Sequence, residues 1–327
     1  MRFASARKRG GLTLAVVLEL GCSPANVGGP GTTSGGLTVQ QSCQDSAYAR
    51  CMHLEDCSAS ALQSRYGNTT TCRAIFEQIC ANVLTAPSTG ASPQQTELCA
   101  TDIPNWTCSD FLFNENIPPS CQPALGQLSN GSSCADNQQC ASGYCALPLN
   151  AACGTCQPVP AIGASCAQFV CPVSLTCVAG TQTCQAFLEV GAMCNADLPC
   201  NDGLTCVGAT STALGVCEQG VQTSNASCDF TGAGCDFYAG FACNALSSTC
   251  QTAVLAGPGQ ACGTVAYQAT YCSNGSCIRG ACEENIPVGG ACNVDSGPPC
   301  ATSSRCIVPA DGGATGSCQL NGATVCP

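Results

Sequence analysis

The sequence predicts a small disulfide-rich protein: an N-terminal α-helical domain stapled by cysteines, followed by a linear array of short β-hairpin and coil cysteine repeats. Three observations lead there. The chain carries 35 cysteines in 327 residues, a density found in disulfide scaffolds rather than in ordinary globular domains. Aromatic residues make up only 5% of it, and much of its 45% hydrophobic fraction is cysteine and alanine. The segments between cysteines therefore hold few of the large side chains that each contribute roughly 1.5–3 kcal/mol on burial. From Cys134 onward, finally, cysteines return in a fixed order at intervals of 28 to 34 residues, the mark of a repeat architecture.

A fold held by crosslinks needs an oxidising compartment, because a cytosolic thiol pool reduces such bonds. Each bridge restricts the unfolded ensemble by about 2–4 kcal/mol. The N-terminus agrees with export. Arg2, Arg7, Lys8 and Arg9 precede the apolar run Gly11 to Gly21 (GLTLAVVLELG), which has the composition of a signal peptide and is too short to span a membrane. Residues 1–21 are expected to be that peptide. Leu20-Gly21-Cys22 resembles the lipobox of bacterial lipoproteins, although Glu19 stands where that pattern has an aliphatic residue. The resemblance implies that Cys22 is lipidated and becomes the first residue, which would place the protein at the outer membrane or cell surface. Cleavage after Ala25 is the alternative and would give a secreted protein. Either way Cys22 leaves the count, and 34 cysteines remain to close 17 disulfides.

Without residues 1–21 the chain keeps five arginines and nineteen carboxylates and has no lysine, for a net charge of −14. Nucleic-acid binding needs clustered basic residues to displace counterions from phosphate. Arg50, Arg65, Arg73, Arg279 and Arg305 are scattered, which excludes nucleic acid and anionic lipid surfaces as partners. The membrane is met through the lipid anchor only. What remains is an unidentified protein or surface ligand.

Residues 22–40 are rich in Gly, Ser, Thr and Pro and uncharged, the composition of a flexible tether. Residues 41–123 hold eight cysteines at irregular spacing and read as a helical domain closed by four internal disulfides. Between Cys72 and Val83, apolar residues fall at 72, 75, 76, 79, 80 and 83, one face of a helix. Ser92-Pro93-Gln94-Gln95 has a capping-box pattern that starts a second helix running through Cys99. A third is expected over Ala47 to Leu54.

Residues 124–327 contain six units. Each is marked by a residue three places before its first cysteine, Gly in five units and Asn in one. The first cysteines are Cys134, Cys166, Cys194, Cys228, Cys262 and Cys292. Turn dipeptides such as Asp202-Gly203 and Asn274-Gly275 fall between the cysteines and favour hairpins. In the first unit, Cys134-x5-Cys140-x4-Cys145-x7-Cys153-x2-Cys156, with Tyr144 before the third cysteine, resembles the start of the Dickkopf N-terminal cysteine-rich domain. The match covers less than a tenth of the chain. Further on, five residues separate Cys171 and Cys177 where that family has an adjacent pair. The resemblance implies a small disulfide-rich binding module, and a secreted inhibitor or receptor modulator as one function.

Parity adds a constraint. The first unit has five cysteines, the last has four plus Cys326, and the others have four each. Either Cys153 pairs with Cys326 or the bridges step across unit boundaries. The stepped register is the expectation, since linear arrays contact only their neighbours.

Little points to catalysis. Cys153-Gly154-Thr155-Cys156 has redox spacing without the strand and helix of a thioredoxin-like site. One CxxC pair and one histidine do not supply the four ligands of a zinc site. His53, that single histidine, has no nucleophile elbow to serve. Asp295-Ser296-Gly297 resembles the aspartic-protease tripeptide but has no second copy. No cofactor, metal or catalytic residue is expected. The reading is a non-enzymatic cell-envelope or extracellular protein mediating interaction with a protein or surface. A redox or metal-handling thiol protein is a further alternative.

Overall fold

The computed structural model describes residues 36–326 apart from 149, 168, 170, 173, 174, 179, 196, 197, 199, 202, 203, 211, 212, 229–233, 310–312, 321 and 323–325. Cys22, residues 23–35 of the expected tether and the Asp202-Gly203 turn lie outside them.

Five α-helices open the described chain: α1 (Val39–Cys57), α2 (Ala59–Tyr66), α3 (Thr69–Thr85), α4 (Pro93–Asp102) and α5 (Cys108–Phe113). All five are started the same way. The side chains of Thr38, Ser58, Asn68, Ser92 and Thr107 each accept a hydrogen bond from the backbone N–H three residues on, satisfying one of the donors that a helix start leaves orphaned. Helix α1 begins inside the stretch read as tether. Helix α3 contains the expected Cys72 to Val83 segment, and α4 starts at Pro93 as its cap requires. The capping box closes only halfway: Ser92 accepts from the Gln95 N–H, and the Gln95 side-chain amide donates to the Gln122 carbonyl at 2.9 Å.

On α1 the buried positions are Ser42, Cys43, Ala47, Cys51 and Leu54, a stripe at helical spacing. Disulfides Cys43–Cys80 and Cys51–Cys72 fasten that stripe to α3, Cys57–Cys108 fastens α1 to α5, and Cys99–Cys121 closes α4 onto the segment after α5. Leu54, Leu62, Tyr66, Ile103, Trp106 and Phe111 pack around Cys51–Cys72 as the largest core of the molecule.

The remaining chain is rich in disulfides and short, mainly antiparallel strand pairs, and its six units share one plan. With Cys153 of the first unit set aside, the first cysteine bonds the third and the second bonds the fourth, from Cys134–Cys145 and Cys140–Cys156 in the first unit to Cys292–Cys306 and Cys300–Cys318 in the last. The third and fourth cysteines sit directly opposite each other across a hairpin in every unit, as Cys206 does with Cys217 in strands Leu204–Val207 and Gly215–Gln219. The marker residue explains the plan. Gly131, Gly163, Gly191, Asn225, Gly259 and Gly289 all have positive φ, and each donates its N–H to the carbonyl of the fourth cysteine at 2.7–2.8 Å. The fourth cysteine returns an N–H to the residue after the marker. Glycine takes that torsion without cost, and asparagine is among the few other residues that tolerate it.

The expected stepped register does not occur. All four cysteines of every unit are used within it, because each hairpin aims its two sulfurs at the unit's own opening segment. The two left over, Cys153 and Cys326, bond to each other across a sequence separation of 173. The array is therefore not linear as expected. Its end units touch, with the Val308 N–H donating to the Asn150 carbonyl at 3.1 Å.

Helix α2 is what the later units close around. Ser60 Oγ donates to the Phe237 carbonyl at 2.6 Å, and Arg65 Nη2 to Tyr238 Oη at 3.0 Å. The last-turn carbonyls of a helix lack partners within it. Here the Asn274 N–H donates to the Gln63 carbonyl at 3.0 Å, and Thr302 Oγ1 donates to that of Arg65 at 3.0 Å.

Candidate ligand groove

The residues that the sequence offered for chemistry are taken up by structure. Cys153 and Cys156, spaced as a redox pair, are bonded to Cys326 and Cys140 instead. Cys134, Cys166, Cys194, Cys228, Cys262 and Cys292 are each half of a first-to-third disulfide. Sulfurs gather in threes, as at Cys134, Cys140 and Cys145, but two of those three are bonded to each other and the third to Cys156. Disulfide sulfur does not offer the thiolate that a metal needs. His53 Nε2 donates to the Trp106 carbonyl at 2.8 Å, and its ring meets Phe111 edge-on at 4.7 Å. That places it as a packed strut between α1 and the Trp106 segment. Asp295 lies in a turn in which its N–H donates to Asn293 Oδ1 at 2.8 Å.

The arrangement with chemical potential is a groove that the sequence did not disclose. It has a volume of about 500 Å³ and is lined by α1, α3 and α4 together with residues 120–124 and Gln138. Its apolar wall is Phe76, Ile79, Val83 and Leu84 on α3. Ser92, Gln95 and Thr96 face them from the start of α4, and Arg50 and Ser46 come from α1.

Beside the groove, the α3–α4 loop is tied to the first repeat and the segment leading into it. The Gly90 N–H donates to the Gln138 carbonyl at 3.0 Å, the Gln127 N–H to the Ser88 carbonyl at 3.0 Å, and Gln139 Nε2 to the Pro87 carbonyl at 2.9 Å. The backbones approach so closely that a Cβ at Gly90 would run into the Leu125 carbonyl. Gln139 is buried and its amide makes three hydrogen bonds, since its Oε1 also accepts from the N–H groups of Ala135 and Asp136.

Arg50 is the unusual member. Its guanidinium carbon lies 4.9 Å from the centre of the Phe76 ring and 5.5 Å from that of Phe111, cation–π distances that support a charge without neutralising it. Burial holds its pKa below the ordinary arginine value, partly offset by Tyr66, and the nearby Arg65 charge lowers it further. An arginine remains protonated in such a place. Among the described residues the ion pair formed is Arg73 with Glu77 at 4.0 Å, on the surface of α3, and no carboxylate pairs with Arg50. Among the described residues the groove lining contains no aspartate or glutamate, in a chain with 20 acidic residues and nine basic ones. A signal for this was present in α1: the positions one turn before and after Arg50 are Ser46, Ala47, His53 and Leu54, none of which can pair with it through the i, i+3 or i, i+4 geometry of a helix.

Among the described residues no helix is long and apolar enough to cross a membrane. Comparison of the chain with protein-family models, with curated proteins and with solved structures returns no match.

Proposed function

We propose that this is an exported, non-enzymatic binding protein whose recognition site is the groove of the helical domain, with the disulfide repeats as the frame that holds that groove open. The observation that carries this reading is the groove itself. It is a cavity of ligand-site size containing an arginine with no counter-ion among the described residues, in a molecule whose described cysteines are all consumed by pairing. The same pairing weighs against a redox or metal-handling role, which requires free thiols. The reading includes lipidation at Cys22, which would place the groove at the outer membrane or cell surface. A secreted inhibitor would lack that anchor.

The test is saturable binding of the purified, disulfide-intact protein to envelope fractions from cells that lack it, compared with Val83→Trp, which fills the groove from its apolar wall. The reading predicts saturable binding that the substitution reduces at least tenfold. Binding that is absent, or that ignores the substitution, contradicts it.

A further inference from the structure

We propose that the groove takes a medium-chain aliphatic carboxylate, its head group on Arg50 and its chain along the α3 wall. The inference rests on the reading of the groove as the recognition site and names its ligand class. Three features of the groove define that class.

The first is charge. A cation drawn partly out of water without a partner is costly, and an incoming anion recovers that cost. Among the described residues Arg50 has no carboxylate partner and the groove lining has no acid that would compete with the ligand or repel it. A carboxylate can take two parallel N–H donors from a guanidinium.

The second is the apolar wall. Phe76, Ile79, Val83 and Leu84 are half-buried residues of α3, and a chain laid over them would remove both surfaces from water. Eight residues of helix separate Phe76 from Leu84, about 12 Å at 1.5 Å per residue, which fits an extended chain of about ten carbons.

The third is the polar rim. Ser46 lies one turn before Arg50 on α1, and Ser92 and Thr96 face it from α4. The hydroxyl of Ser92 already accepts from the Gln95 N–H, and that of Thr96 donates to the Ser92 carbonyl. Among the hydrogen bonds of the described residues this leaves the O–H groups of Ser46 and Ser92 to donate to a second carboxylate oxygen, while that of Thr96 is taken. A ligand that is anionic at one end and apolar along the rest matches all three features. A phosphate or sulfate would leave the wall unused, and a neutral lipid would leave Arg50 unpaired.

The experiment is calorimetric titration of the full disulfide-intact chain with decanoate, decanol and decyltrimethylammonium, and with a decapeptide ending in leucine that carries either a free or an amidated C-terminus. The proposal predicts one site for decanoate, decanol at least tenfold weaker, and no binding of the ammonium ligand or of either peptide. In Arg50→Met, which keeps an unbranched stem against Phe76, decanoate binding falls at least tenfold while decanol is unchanged. In Val83→Trp both fall together, which guards against an Arg50 variant that merely disturbs the stack. Equal binding of decanoate and decanol, decanoate binding that survives Arg50→Met, or binding of the free-carboxylate peptide alone overturns it. If decanoate fails to bind while groove-dependent binding to envelope fractions persists, the ligand class is wrong and the groove reading stands. If both are absent, both fall.

Discussion

One backbone torsion recurs in all six repeats: three residues before the first cysteine, φ lies between 62° and 92°. It turns the chain so that one N–H reaches the fourth cysteine, and the two hydrogen bonds made there lock the opening segment of the unit to its closing strand. Gly191 isolates the effect, since a Cβ placed on it meets nothing within 4 Å, and any penalty is that of the torsion alone. A β-branched residue in this region costs roughly 1–2 kcal/mol. Gly191→Val is therefore expected to lower the hydrogen-exchange protection of the Cys217 amide about 5- to 30-fold, with the other five repeats unaffected. Asp136 provides a pH-dependent counterpart. Burial raises its pKa above the usual carboxylate range, against the pull of the Gln138 N–H that donates to it at 2.8 Å. A raised folded value means that its contribution to stability is fully present below the unfolded value and is lost as pH rises through the folded one. Asp136→Asn keeps the acceptor and removes the charge. Exchange of amides in the first repeat should slow at neutral pH and be unchanged near about pH 3, where the carboxyl is already protonated.

Among the elements, the join between the first repeat and the α3–α4 loop borders the groove. Gln139 makes three hydrogen bonds from a buried position, each worth about 0.5–1.5 kcal/mol net, with a further penalty for donors left unpaired. Gln139→Leu is expected to lower the unfolding temperature and to weaken ligand binding in the groove without touching any groove side chain. Unchanged binding in a destabilised variant would show that the loop needs no clamp. The elements also differ in how legible they were in sequence. Helices α3 and α4 carried their signals on the surface of the code, an apolar stripe in one and a Ser-Pro cap in the other. Helix α2 did not, because its eight residues, ASALQSRY, have few apolar positions to set a period. It is held by Ser58 at one end and by donors from the fifth and sixth repeats at the other, and the second of these is a tertiary fact. The groove was hidden for the same reason: Arg50 reads as one of five scattered arginines until α3 and α4 are folded beside it.

Across the whole molecule, the Cys153–Cys326 bond joins the first repeat to the chain end. Cysteine parity narrowed the choice to this bond or a stepped register, and the expectation of neighbour-only contacts favoured the wrong one. Sequence order carries no sign that repeats five and six return to α2, so locality was a poor guide. Closing so long a loop is worth up to about 5 kcal/mol in the chain-entropy account. The contacts of the later repeats with α2 already restrict that loop, so the double variant Cys153→Ser/Cys326→Ser is expected to lose less than this and to keep its other 16 disulfides. Its unfolding temperature should fall, and exchange should quicken in the first and last repeats before the middle ones. The most direct measurement is disulfide mapping of the unreduced protein, by peptic digestion at acid pH followed by mass spectrometry. The closed architecture predicts a peptide pair joining Cys153 to Cys326, Cys134–Cys145 and Cys140–Cys156 in the first repeat, and first-to-third and second-to-fourth pairs in each of the other five. Cys153 bonded to Cys156, or to any cysteine of the second repeat, would contradict it.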